Sequence, residues 1–356
     1  RWLGRSIASL STLQSVLVVA SNLRQDHPLF AQRIRQAARK GCVVMSVTSV
    51  VRDWAMPVAQ TLVSAPGAWT QALADVAAAV AQEKGVQAPV ASGQASNEAA
   101  RAIAVALLAG EQKAVLLGNA AAHHAQASSL LALAQWIAEQ TGASVGYLTE
   151  AANTVGAQWV KAVPGQGGLN AAEMLAGGLK GVILLNTEPV LDSAAGAKAA
   201  EALAQAEMVV TLSPFKTNLE FSDVLLPIAP FTETSGSFVN AEGRLQSFHA
   251  VVRPLGETRP AWKVLRVLAN LLDLQGFDFE TSQDVLSKAT GAPAGQAQSV
   301  PAELLDNRTT VVPQAAASGA ADPVVASIYQ LDGLVRRSTS LQLTADARLA
   351  REGAAA

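Results

Sequence analysis

Hydrophobic and polar positions alternate along the chain in blocks that repeat a strand–turn–helix–strand order. Val16–Ala20 is a short apolar run of the kind that a strand buried on both faces requires. The polar turn Ser21–His27 follows, and Pro28 suits the first position of a helix, with Asp26 beside it as a start signal. Phe30, Ile34, Ala37 and Ala38 then fall at helical spacing, with Arg33, Arg35 and Arg39 mostly on the wet side. Gly41 breaks the pattern, and the run from Cys42 to Val47 predicts a second strand, closing a βαβ unit with a right-handed crossover.

Two further units follow. Trp69–Lys84 predicts an alanine-rich helix ended at Gly85, and Ser96-Asn97-Glu98 predicts the capped start of a helix reaching Ala109. Strand Ala114–Gly118, turn Asn119–Ala125, helix Ala127–Thr141, stop Gly142 and strand Ala143–Leu148 repeat the first pattern. A third unit runs through strand Gly181–Asn186, a helix over about 194–206 and strand Met208–Leu212. Three such units predict doubly wound, Rossmann-like α/β sheets. Between the second and third units, 151–178 is glycine-rich and unpatterned, too long for a plain connection. A helix is expected over Ala261–Leu274. The remainder is rich in Ala, Gly, Pro, Ser and Gln, a composition expected to lie extended on a partner or stay disordered. The expected division is therefore 1–110, 111–275, and a tail at 276–356 with a docking segment at 323–344.

Composition narrows the class of function. The chain has 356 residues, enough for two cores, and 50% are hydrophobic against 15% charged. Its 26 basic and 28 acidic residues nearly cancel and form no basic stripe, which excludes a nucleic-acid surface. No apolar run reaches the roughly 18 residues that span a bilayer, so no direct membrane insertion is expected. The start, Arg1-Trp-Leu-Gly-Arg5, lacks a signal-peptide core and an initiator Met, and the chain reads as a fragment or processed product. One cysteine, Cys42, allows neither an internal disulfide nor a multi-cysteine cluster, and it reads as a buried small hydrophobe.

Candidate chemistry is sparse. None of the turns supplies Gly-x-Gly-x-x-Gly, no strand-to-helix turn carries a Gly-x-Ser-x-Gly elbow, and no Walker loop occurs. His123-His124 is the one histidine pair, but adjacent residues point in different directions and chelate poorly. A turn that caps the next helix is the plainer reading, as a helix entrance is for His27. The most concentrated polar stretch is 221–247. There a strand at Val224–Leu226 is cut off at Pro227, and Glu233, Glu242 and Arg244 are grouped around Asn240 and Gly243.

Ser222-Asp-Val-Leu-Leu-Pro227 followed by Glu233-Thr-Ser-Gly-Ser-Phe-Val-Asn-Ala-Glu-Gly-Arg-Leu-Gln246 resembles a signature of the molybdopterin oxidoreductase superfamily. Within it, the stretch most resembles the large, G-type peripheral-arm subunits of bacterial NADH:quinone oxidoreductase, respiratory complex I. The tail sequence from Pro323 to Thr344 also resembles those subunits. The resemblance implies the superfamily's α/β fold, shared with formate dehydrogenases and DMSO reductases. It implies iron–sulfur clusters in an upstream part of the parent subunit, other peripheral-arm subunits of complex I as partners, and a place on the cytoplasmic side of a bacterial inner membrane.

Asn22, Asn119, His123, Asn186, Glu233, Asn240 and Arg244 are then the candidates for a vestigial pterin pocket. Two turns depart from the superfamily pattern: Ala20-Ser-Asn-Leu23 where Gly-Ser-Asn-Pro is expected, and Asn186-Thr-Glu-Pro189 where Gly-Glu-Asn-Pro is expected. The chain is therefore expected to hold no cofactor, no metal and no catalytic residue, with Glu233, Asn240, Glu242 and Arg244 satisfying one another and their loop. The alternatives are a fragment of a catalytic molybdopterin enzyme such as formate dehydrogenase, and a stand-alone assembly scaffold.

Overall fold

The computed structural model describes residues 1–293, 295–296, 298–315 and 327–354. It divides into two compact units. The first comprises Arg1–Trp159, Val239–Leu245 and the described part of 299–325. The second comprises Val160–Phe238 and the described parts of 246–298 and 326–356.

The first unit is built on five parallel strands: β1 (Ser15–Val19), β2 (Val43–Thr48), β3 (Gln60–Val63), β4 (Lys113–Leu117) and β5 (Ser144–Tyr147). Their order is β3-β2-β1-β4-β5, with Val18 opposite Ser46 on one side and Leu116 on the other. Strand residues alternate between two cores, as the pleat requires. Leu17, Val19, Met45, Val47, Val115 and Leu117 join a cluster with helices Trp69–Lys84, Glu98–Leu108 and Ala127–Thr141. Val16, Val18, Val44, Ala114 and Leu116 join the opposite cluster with helix Pro28–Ala38. Helices on both faces explain why β1 and β4 are buried throughout. The expected boundary at 110/111 cuts this sheet, because β4 pairs with β1.

Helix ends follow the sequence signals closely. Pro28 opens its helix, Asn97 Oδ1 accepts from Ala100 N at 3.3 Å, and Gly85 and Gly142 end theirs at φ +66° and +74°. Strand β3 is not predicted by the pattern, since Gln60-Thr-Leu-Val63 is short and half polar.

The second unit carries three parallel strands in order: β6 (Gly181–Leu185), β7 (Met208–Ser213) and β8 (Val224–Pro227). Pro227 ends the edge strand, where its missing N–H costs no ladder bond. The connecting helix is shorter than expected, Ala197–Leu203. It covers one face, through Leu184, Leu203 and Val209, and leaves Ile183 and Leu185 exposed. Strands β9 (Gly236–Val239) and β10 (Leu245–Phe248) form the two-stranded hairpin of the motif. The helix from Ala261 stops at Leu271, ahead of Asp273 at φ +56°.

The tail is more ordered than its composition suggests. Ser282–Thr290 is a helix with a Thr281/Asp284 capping box. In the first unit, Asn307 accepts from Trp2 N at 3.0 Å and donates to Trp2 O and Val145 O at 2.9 and 3.0 Å. Helices Ile328–Leu331, Thr339–Gln342 and Ala345–Ala354 follow in the second unit. Residues 323–326 of the expected docking segment lie outside the described residues.

Candidate functional site

Ligands of open α/β sheets bind beyond the carboxyl ends of the strands, where neighbouring strands send their connections to opposite sides. In the first unit that place lies between β1 and β4. Ala20 leaves β1 at φ +54°, a conformation usually left to glycine, so the turn keeps its shape without one. Asp26 holds the turn through Ser21 Oγ at 2.9 Å and Asn22 N at 2.8 Å. Gly118 closes from β4: a Cβ there would lie 2.4 Å from both Ala20 O and Ser21 Cβ.

Three polar atoms at this crest are buried without a hydrogen bond of ordinary geometry: Asn22 Oδ1, Asn119 Oδ1 and His27 Nε2. Such atoms are uncommon in folded proteins. Burial pushes the His27 imidazole below its ordinary value, against the opposing influence of Asp26 and the Asn119 amide. Its ring stacks on Phe30 with centroids 5.7 Å apart. His27 thus lies at the crest as well as at the helix entrance.

His123 follows on the same turn but pairs with Glu150. That bond is the main cause of its raised pKa and of the lowered pKa of Glu150. His124 does cap the turn: its Nδ1 accepts from Gln126 N at 3.0 Å, and its Nε2 lies 3.1 Å from Pro66 O. Cys42 is buried, and burial pushes its thiol up to about 11. Among the described residues no group of three or more His, Cys, Asp or Glu is placed to hold a metal.

The second unit repeats the turn. Asn186 leaves β6 at φ +50°, and Asp192 takes the place of Asp26, reaching Thr187 Oγ1 at 3.1 Å and Glu188 N at 2.7 Å. Glu188 therefore stands where Asn22 stands in the first turn. Its carboxylate is held by Thr217 Oγ1 at 3.0 Å, by Arg336 at 3.0 Å, and by both terminal nitrogens of Arg337 at 2.8 and 3.0 Å. Sequence reasoning missed this set. The available signal was the Asp six residues after each left-handed turn residue, together with the adjacent Arg336-Arg337 pair in the tail.

The motif residues do not form one cluster. Asn240, Glu242 and Arg244 belong to the first unit and Glu233 to the second, where its carboxylate accepts from Leu255 N at 2.9 Å. Asn240 Oδ1 accepts from Glu242 N at 3.2 Å and Arg244 N at 2.9 Å, tying the turn around Gly243 at φ +90°. Glu242 Oε2 accepts from Ile7 N at 2.7 Å, and Leu3 N donates to Ala241 O at 2.8 Å. Arg244 is 69% exposed, and its Nε lies 3.5 Å from Glu242.

Parallel sheets with left-handed turns at their carboxyl edges define a doubly wound α/β protein. The chain belongs to the Molybdopterin oxidoreductase family, which it matches over residues 1–271. It is 28% identical over 298 residues to the G-type subunit of NADH-quinone oxidoreductase from Streptomyces coelicolor, covering 76% of this chain and 34% of that protein. It is 28% identical over 153 residues to a nitrate reductase of Shewanella frigidimarina, covering 41% of this chain and 16% of the other. A putative formate dehydrogenase of Staphylococcus aureus is 44% identical over 59 residues, 17% of this chain and 6% of its own length. The chain therefore spans about a third or less of these relatives. Among solved structures, acetylene hydratase from Pelobacter acetylenicus shares the fold, with a TM-score of 0.59 at 13% identity over 80% of this chain and 53% of that one.

The family name implies a molybdopterin. At the carboxyl end of β6 the residues do not fit such a group, because Glu188 and its two arginines fill the place after the turn. At the crest between β1 and β4 Asn22 Oδ1 has no partner, and Cys42 lies away from it, just before the start of β2. Among the described residues no helix is long and apolar enough to cross a membrane.

Proposed function

We propose that the chain is a structural, non-catalytic portion of a G-type subunit in the peripheral arm of NADH:quinone oxidoreductase. Its contacts there are with other peripheral-arm subunits on the cytoplasmic side, and the parent's electron-carrying clusters lie outside this stretch. The observation that carries the reading is coverage. Likeness to the complex I subunit extends over 76% of the chain, whereas likeness to the putative formate dehydrogenase stops at 17%. The motif geometry supports it, since Asn240 and Glu242 direct their oxygens to backbone groups of their own unit. A second reading, a piece of a catalytic pterin enzyme, is favoured by Asn22 Oδ1, buried without a partner at the first crest.

The test is purification of the tagged natural protein from detergent-solubilised membranes of its source. Co-purification with NADH:quinone oxidoreductase activity is expected. A tagged protein that purifies with formate- or nitrate-dependent activity and no NADH oxidation overturns the proposal.

A further inference from the structure

The two left-handed turns share their backbone shape and their Asp clamp, yet they end differently. After β1, Asn22 has a buried oxygen with no partner; after β6, Glu188 is fully engaged. The groups that engage it come from the tail. Arg336 is only 12% exposed and bridges Glu188, 11% exposed, to Asp192 at 3.0 and 2.8 Å. Arg337 forks both oxygens of Glu188, and its guanidinium lies 4.0 Å from the centroid of Phe215. Planar forks on a carboxylate and stacking on an aromatic face are the interactions arginine makes and lysine does not.

The segment that presents them is shaped for the purpose. Gln342 Nε2 donates to Tyr329 O at 2.9 Å and Val335 O at 3.0 Å, drawing 328–342 into a closed loop. Arg336 also donates to Gln330 O at 2.7 Å, and Asp332 Oδ1 accepts from Leu334 N and Val335 N. Of its large apolar side chains, Ile328, Leu331, Leu334, Leu341 and Leu343 are exposed, while Tyr329 and Val335 are half-buried. The polar contacts that fix the segment are the ion pairs to Glu188 and Asp192, together with the Phe215 stack.

We propose that residues 327–344 are an intramolecular strap whose Arg336–Arg337 pair seals the carboxyl end of β6 by occupying Glu188 and Asp192. The strap makes the two turns unequal: at the first, Asn22 Oδ1 is buried without a partner, and the second is closed by the chain itself. A buried carboxylate that loses its partners strands its charge, so the strap and the turn it covers depend on one another.

Hydrogen–deuterium exchange on the full chain tests this. Exchange in 327–344 should be slow in the wild type. It should be about a hundredfold faster in the Arg336→Ala/Arg337→Ala double variant, with β1 and β4 unchanged. Glu188→Gln, which keeps volume and an acceptor, should release the same segment from the other side. Arg337→Lys should lie between, because it keeps charge without the fork. Fast exchange of 327–344 in the wild type, or protection retained within about twofold in both Glu188→Gln and the double variant, overturns the strap.

Discussion

The carboxylate of Glu242 accepts a hydrogen bond from the backbone N–H of Ile7 at 2.7 Å, joining the motif turn to the first residues of the chain. Leu3 N donates to Ala241 O beside it, and Tyr147 N donates to Trp2 O at 2.8 Å. The segment from Trp2 to Ile7 is thus held between the motif turn and β5. In this unit the family's signature residues act on the chain's own backbone.

Glu242→Ala should therefore cost about 1–3 kcal/mol, because it leaves the Ile7 N–H without its acceptor. Glu242→Gln should cost less. Arg244→Ala, on an exposed side chain, should cost under about 1 kcal/mol. Urea unfolding of the three variants reads the order directly, and an Arg244→Ala loss as large as that of Glu242→Ala would contradict it.

Gly118 stands where β4 meets the β1 turn. A Cβ at 2.4 Å from Ala20 O presses on backbone, which cannot swing aside. Gly118→Ala is expected to cost about 1–3 kcal/mol in thermal unfolding. Gly181→Ala, which meets nothing within 4 Å at the start of β6, should change stability by under about 0.5 kcal/mol. Equal losses in the two variants would mean that the crest is looser than this contact requires.

The two titratable pairs give opposite pH signatures. Burial raises the Glu188 carboxyl, but hydrogen bonds from Arg337, Arg336 and Thr217 outweigh it and leave the group below its ordinary value. Its stabilisation is therefore complete above the ordinary carboxylate range and lost as pH falls through the depressed value. His123 is raised, chiefly by its bond to Glu150, so that pair stabilises below the ordinary imidazole value and fades as pH rises through the raised one. Proton NMR should show His123 titrating above the ordinary imidazole value, and Glu150→Gln should bring it down. An unchanged titration in that variant would sink the pairing.

Much of the first unit is legible in the sequence because its signals are local. Val16–Val19 and Ala114–Leu117 are apolar on both faces, and Gly85 and Gly142 stop helices in the left-handed conformation. What escapes depends on long-range pairing. β3 is a half-polar edge strand recognisable only beside β2, and β4 pairs with β1 across the boundary expected at 110/111. At the candidate site, Asn22 and Asn119 do flank one crest, with His27 beside them. Asn186 supplies the equivalent left-handed turn in the second unit. Nearness in sequence groups Glu233 with Asn240 and Arg244, yet it belongs to the other unit. The arginine partners of Glu188 lie about 150 residues downstream, and no periodicity marks a pair of arginines as a carboxylate fork.

We expect this stretch to hold structure and no pterin. The most direct measurement is the melting temperature of the purified chain against added molybdopterin cofactor, with Asn119→Ala as the control for the first crest. No saturable shift is expected in either protein. A saturable stabilisation of the wild type, abolished by Asn119→Ala, would contradict that expectation and make the crest a working binding site.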